Sequence, residues 1–282
     1  MTSVVSAQFR REIAIRLIAA LTVFAAMALA EAAMPRRDRS FSRRARWPAN
    51  LAIAAINEIA VRILLPITAI GAALAAEQRA SGLLYRIPLP GAIALVIAVI
   101  ALDLAIYLQH RVFHAVPLLW RIHRMHHADL DFDVSTGLRF HPLEIMLSML
   151  IKIGVVLAIG ASAMAVVAFE VLLNATSMFN HANLEISEAT DRWLRWILVT
   201  PDMHRVHHSI VRAETNSNFG FNLPWWDHLM RTYRAQPGAG HLGMTLGIDQ
   251  FRSSEELNLL PLLTQPFRGL PGGYPTRTKL PP

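Results

Sequence analysis

The sequence predicts an all-α protein, a multi-pass bundle of membrane helices with a histidine-rich helical cap on the cytoplasmic side. Three observations carry this. Hydrophobic residues make up 54% of the 282 residues, charged residues only 17%, and mean hydropathy is +0.36, the balance of a membrane protein. Several apolar stretches reach the roughly 20 residues that a bilayer core requires. Eight of the twelve histidines fall in three short boxes: His110 and His114; His123, His126 and His127; and His204, His207 and His208. Residues three and four apart share one helix face, so each box can aim its imidazoles at one point.

Residues 1–12 form a polar lead containing Arg10 and Arg11, and residues 13–34 make the first span. The loop after it holds Arg36, Arg37, Arg39, Arg43, Arg44 and Arg46, and short basic loops stay cytoplasmic. Cleavage of a signal peptide before that loop would strand these charges on the far side, so the first stretch is kept as a true helix. Residues 50–76 read as a second span, kinked at Pro66, with Glu58 and Arg62 spaced as an i, i+4 pair. A weakly charged loop, 77–90, suits the opposite face. The third span, 91–109, then returns the chain to the arginine side at His110. Residues 118–127 extend from the membrane as a helix with Trp120 at interface height, followed by an acidic loop over 128–142. From Leu143 to Thr176 the chain is apolar for 34 residues and broken near Gly160 and Ser162, which predicts a helical hairpin that returns to the side it left. NHANLE, with His181, and a Trp-rich helix (Trp193, Trp196) lead to the last box. The chain divides into 1–90, 91–235 and a Gly/Pro-rich tail, 236–282. That tail is expected to pack on the core or to lie on the membrane surface, with the patch Leu257–Leu263, where Pro261 opposes a regular buried helix, as its candidate flap.

Packing gives no reason to crowd cationisable rings, and no Cys is present to compete as a ligand. Imidazole suits iron, zinc and copper; eight such ligands are too many for one ion and about right for two. The lack of Cys also excludes disulfides and cysteine-held Fe–S clusters. The net charge of +7 concentrates beside apolar segments, which points to membrane topology and not to nucleic acid.

The segments DLAIYLQHRVFH, WRIHRMHHADLDFDVSTGLRFHPLE, NHANLE, TPDMHRVHHS and NSNFGFNLPWWD follow in that order over roughly residues 100–235. Together they resemble the fatty acid hydroxylase/sterol desaturase superfamily, integral membrane di-iron oxygenases of lipids. LMRTY at 229–233 departs from a Phe-Gly-Thr run common in that superfamily. The resemblance implies that 91–235 is a di-iron domain with nine imidazoles around two irons: His110, His114, His123, His126, His127, His181, His204, His207 and His208. It gives His141 a place behind the ligands or as a tenth ligand, and leaves His228 and His241 as surface or packing residues. It implies an O2-dependent oxidoreductase that hydroxylates or desaturates a lipid C–H bond. Electrons would come from outside, through a reductase with a cytochrome b5-like or ferredoxin-like carrier, since no haem, flavin or Fe–S segment is evident. Asp103, Asp129, Glu144, Glu185, Asp202 and Asp227 lie near the boxes and are candidates to orient the imidazoles. Two other readings use the same ligands. A zinc-dependent lipid headgroup hydrolase would favour a carboxylate base in an HExxH-type arrangement, which is absent. A metal transporter or sensor would favour a site at mid-membrane.

Overall fold

The structure, a computed structural model, describes residues 2–269, with side chains from residue 14 onward. The side chains of Arg10 and Arg11 and the end of the predicted tail, 270–282, lie outside the described residues. Among the described residues there is no β-strand, only two isolated bridges, Pro35 to Leu184 and Ser209 to Leu246.

The long helices are α1 (Thr2–Ala33), α2 (Arg43–Leu64), α3 (Ala69–Gln78), α4 (Gly91–Ala115), α5 (Pro117–His127), α6 (Pro142–Ile159) and α7 (Ala163–Asn180). Shorter ones follow: α8 (Glu188–Leu194), α9 (Pro201–His207), α10 (Arg212–Thr215), α11 (Trp225–Leu229), α12 (Gly240–Gly243) and α13 (Leu259–Thr264). Their starts are legible in local chemistry. Ser42, Thr68, Ser162, Ser187 and Thr200 each accept a hydrogen bond from a first-turn N–H. Pro117, Pro142 and Pro201 occupy first helical positions, where a missing N–H costs nothing. Pro117 also separates α5 from α4, because the residue before a proline is pushed out of the helical region.

Among the described residues, five segments are long and apolar enough to cross a membrane: 14–33, 43–86, 91–115, 142–159 and 163–180. Their ends alternate. The C-termini of α1, α4 and α7 and the N-termini of α2 and α6 meet at the histidines. Glu31 near the end of α1, for example, accepts from the backbone N–H groups of Val134 and Asn183 at 2.6 and 2.8 Å. The opposite end is closed where Gly82 and Gly160 cross. Both have positive φ, and a Cβ on Gly82 would lie 2.3 Å from the Gly160 nitrogen. Glu77 reaches the same turn and accepts from the Ala163 N–H at 2.8 Å. The hairpin predicted over 143–176 is thus present as α6 and α7, turned by Gly160 in the left-handed conformation. The bundle core is built from α3, α4, α6 and α7, with Ala72, Ala73, Leu102, Ile106, Val156, Val166 and Phe169 at its centre. The alanines of α3 let its neighbours approach closely.

Four expectations change. The second span does not kink at Pro66; the helix ends at Leu64 and restarts at Ala69. Proline removes an N–H donor and clashes with the preceding turn, and Thr68 offers a cap for the new start. Arg43, Arg44 and Arg46 belong to α2 and not to a loop. Trp120 does not stand at the surface: it is fully buried, 4.8 and 5.2 Å from the His114 and His127 rings. Pro261 does not prevent a helix, because it sits in the first turn of α13, where no intrahelical partner is lost. Leu262 packs with Ala49, Ile53 and Met125, so the tail docks on α2 and α5. The paired Glu58 and Arg62 are found as expected, joined at 2.7 Å on an exposed face.

Inside the bundle Glu170 of α7, only 3% exposed, joins Lys152 of α6 at 3.0 Å and Arg16 of α1 at 3.1 Å. Removing a buried partner strands the remaining charges in a poorly solvating interior. Glu170→Ala is therefore expected to destabilise the protein by about 3–5 kcal/mol. A thermal melt in detergent showing an unchanged Tm would count against this role.

Candidate metal centre

Four stretches of chain deliver the imidazoles. α4 runs past its apolar portion to His110 and His114, which share a face by their i, i+4 spacing. α5 supplies His123, His126 and His127, and α9 supplies His204 and His207, with His208 as its C-cap. His181, outside the three boxes, is the C-cap of α7 and so reaches the same place. All nine are buried, none more than 3% exposed. They form two groups, His110, His114, His123, His127 and His207, and then His126, His181, His204 and His208. Within each group the ligand nitrogens all lie within 4.8 Å of one another. The His127 and His208 rings stack 4.5 Å apart and join the two.

The placement of protons decides what this arrangement tolerates. Nδ1 donates to a backbone carbonyl in His110 (Phe219, 2.7 Å), His126 (Arg139, 3.2 Å), His181 (Ser177, 2.7 Å) and His207 (Ser217, 2.7 Å). In His123 it donates to Glu144 at 2.7 Å. A carbonyl or carboxylate oxygen only accepts, so Nδ1 carries the ring proton and Nε2 presents a lone pair. Yet Nε2 of His110 lies 3.1 Å from that of His123 and 3.0 Å from that of His207, and Nε2 of His126 lies 3.0 Å from that of His181. Lone pairs at that separation repel. An extra proton is a poor remedy, because burial and the neighbouring imidazoles push His126, His127, His204, His207 and His208 well below the usual histidine range. Burial takes His181 down to about 3, against the pull of the Ser177 carbonyl. Neutral, inward-facing nitrogen donors of this kind fit transition-metal cations, and two groups fit two ions.

Residues 95–232 match the fatty acid hydroxylase family. An ornithine lipid hydroxylase of Rhizobium tropici is 31% identical over 187 residues, covering 63% of this chain and 51% of that one. The alkylglycerol monooxygenase of Homo sapiens is 30% identical over 159 residues, 55% of this chain and 34% of that one. A very-long-chain aldehyde decarbonylase of Oryza sativa subsp. indica is 25% identical over 138 residues, 45% and 21% respectively. The chain thus spans about half the length of these relatives or less. No solved structure matches it.

Behind the histidines, the matched region is braced by carboxylates. Of the six acids singled out, Glu144 alone touches an imidazole of the two groups. Asp227 acts at one remove: it accepts from the N–H groups of Phe219 and Gly220 at 2.8 and 2.9 Å and from the Thr232 hydroxyl at 2.6 Å. It so fixes the turn whose Ser217 and Phe219 carbonyls hold His207 and His110. Burial raises its carboxyl to about 6. Asp129 receives two bonds from Arg46, at 2.7 and 2.8 Å, and one from Thr136. Burial would raise it, but Arg46 and Arg139 hold it at about 2. Arg139 in turn presents its carbonyl to His126. Asp103 accepts from Trp226 Nε1 at 2.7 Å, and Asp202 pairs with Arg36 and Arg205. Glu185 stands exposed, 3.8 Å from Arg36.

His141 is in neither group: its Nδ1 caps α6 by accepting from the Leu143 N–H, and Nε2 donates to the Leu263 carbonyl at 3.1 Å. His228 stacks on Tyr233 at 4.1 Å, and His241 is buried 3.5 Å from Asp202. Sequence patterns missed the carbonyls of Ser177, Ser217 and Phe219, which no side-chain motif reports. They also missed Arg46, whose charge was read as a topology signal.

The buried neutral imidazoles carry a sign for pH dependence. Below about 6.5 the unfolded chain takes up protons that the folded, metal-free chain refuses, so stability rises with pH and is lost as pH falls through that value. Tm of the metal-free protein is expected to drop between pH 8 and pH 5.5, and added metal at neutral pH to raise it by mass action. A flat Tm profile with no response to metal would contradict the site.

Proposed function

We propose that the protein is a membrane-bound di-iron oxygenase that hydroxylates or desaturates a C–H bond of a lipid, using O2 and electrons from an external donor. The observation that carries this is the pair of imidazole groups with their lone pairs turned on one another inside the matched region. Bound iron would supply the O2 and one-electron chemistry that no side chain provides. His110, His114, His123, His127 and His207 would hold one iron and His126, His181, His204 and His208 the other. The chain's own part is orientation and exclusion of water. Glu144 and four backbone carbonyls fix ring tautomers, as supporting groups around metal ligands do. Phe140 stacks on His126 at 4.2 Å, and Phe221 lies 5.2 Å from His110, so aromatic rings and not solvent face the centre.

The hydrolase reading loses support here, since no carboxylate lies inside either group and Glu144 is engaged by His123. The transport reading loses support because the groups lie at the ends of the helices. The named relatives act on lipids, an ornithine lipid and alkylglycerols, which favours a lipid substrate. We place the histidine end on the cytoplasmic side, where the segment from Arg36 to Arg46 also lies.

His126→Ala or His207→Ala should abolish O2-dependent lipid turnover and lower bound iron from two per chain, while the protein still inserts in the membrane. Asp227→Ala should weaken metal binding or activity by about 10–100-fold, and His228→Ala should leave both almost unchanged. Metal analysis and lipid mass spectrometry read these outcomes, and stable zinc without O2 consumption would overturn the proposal. For orientation, Ser42→Cys and Arg212→Cys in this cysteine-free chain should both be labelled only from the cytoplasmic face. Labelling of both from the outside would reverse the assignment.

A further inference from the structure

Between α4 and α7 lies a cavity of about 330 Å³ on the flank of the bundle. Val96, Val99 and Ile100 form one wall, Ala168 and Leu172 the other, and Trp225 stands at one end. Only two polar residues line it, Asp103 and Asn222, and both are buried, at 2% and 1% exposure. A carboxylate in such surroundings is costly unless its hydrogen bonds are made. Trp226 satisfies Oδ2 of Asp103, but Oδ1 has no hydrogen-bond partner. Nδ2 of Asn222 has none either, while its Oδ1 accepts from the Thr176 hydroxyl. The Asn222 side chain and the Asn222 and Leu223 backbones also turn to the carboxylate, more loosely than Trp226 does. A carboxylate and an amide, only loosely engaged with one another, therefore stand together at the end of an apolar slot.

The order of features along the cavity is informative. Phe221, next in the chain to Asn222, packs against His110 and His204 with ring centres 5.2 and 5.7 Å away. The polar end thus adjoins the histidines, while the apolar end runs back toward Leu95, about 12 Å down α4 at 1.5 Å per residue. Exposed Trp196 adjoins Trp225, whose Nε1 donates to the Trp196 carbonyl at 2.7 Å. Tryptophans gather at this height where a helix bundle meets the headgroup layer of a bilayer.

We propose that this cavity holds the hydrocarbon chain of a bilayer lipid and that Asp103 and Asn222 receive a neutral group at its head end. That group both donates and accepts a hydrogen bond, as a hydroxyl or a secondary amide does. Calling this lipid the substrate rests on the oxygenase reading above; the binding itself does not. A free fatty acid is disfavoured, because its carboxylate would face Asp103 with no lysine or arginine in the lining to offset the repulsion. The carbons nearest the head, and not the methyl end, then lie closest to the histidines.

The test uses the full-length protein in phosphatidylcholine vesicles with two photoreactive probes, a long-chain alcohol and the matching carboxylic acid, each bearing a diazirine in mid-chain. Adducts are mapped by proteolysis and mass spectrometry. The alcohol should label 95–100 and 168–172 at least about tenfold more than the acid does, because a site built for a hydroxyl discriminates strongly. Leu172→Trp, which fills the slot, should remove those adducts without changing metal content, and Asp103→Asn should erase the preference for the alcohol. Equal labelling by both probes in the unmodified protein would overturn the proposal. So would adducts spread over all the membrane-facing helices and indifferent to Leu172→Trp. Cavity adducts on a protein that neither holds iron nor consumes O2 would uphold this site and sink the oxygenase reading. O2-dependent turnover with adducts elsewhere would do the reverse.

Discussion

Lone pairs of neutral imidazoles facing one another at about 3 Å are the constraint from which the rest of the structure follows. Without a cation between them they repel, and protonation is opposed by burial. Such a centre cannot hold itself together; it has to be held from outside. The chain does this by turning every identified Nδ1 contact outward onto a rigid acceptor, either a carbonyl in a braced turn or the Glu144 carboxylate at the start of α6.

The bracing explains why so many charges are buried at this end of the bundle. Arg46 is fully enclosed and joins Asp129 and Asp133 at 2.7 Å each. Asn50 and Asn57 of the same helix bind Ser135 and the Phe140 carbonyl. One face of α2 thereby immobilises the whole loop between α5 and α6. Glu31 does the same from α1, and Arg121 and Arg124 of α5 secure the tail through the Pro266 and Gln265 carbonyls. Buried ion pairs are weak contributors to net stability, yet separating the partners is strongly destabilising, so each pair opposes departure from this arrangement. An arrangement is what these imidazole groups require.

Much of this was legible beforehand because it is periodic. The membrane helices announce themselves by apolar length, the hairpin by its central glycine, and the boxes by i, i+3, i+4 spacing. His181 was reached only through the family resemblance, since a single histidine in NHANLE has no periodic partner. What stayed hidden has no local pattern. The break at Pro66 depended on Thr68 being able to cap a new helix. Three of the six arginines after α1 (Arg36, Arg37 and Arg46) are committed to partners far along the chain, so their cluster reports tertiary pairing as well as topology. Trp120 fills space between two imidazoles, and nothing in its neighbours distinguishes that from a place at the membrane surface.

α4 is a single unbroken helix from Gly91 to Ala115, and it carries in sequence the cavity wall, Asp103, His110 and His114. A helix does not stretch: seven residues, about 10 Å of rise, separate Asp103 from His110 whatever lies beside them. With a lipid seated as proposed, the helix would work as a ruler with its zero at the lipid's polar group. Lipids with longer or shorter chains would differ only at the far end of the slot, and the atoms opposite the histidines would stay the same.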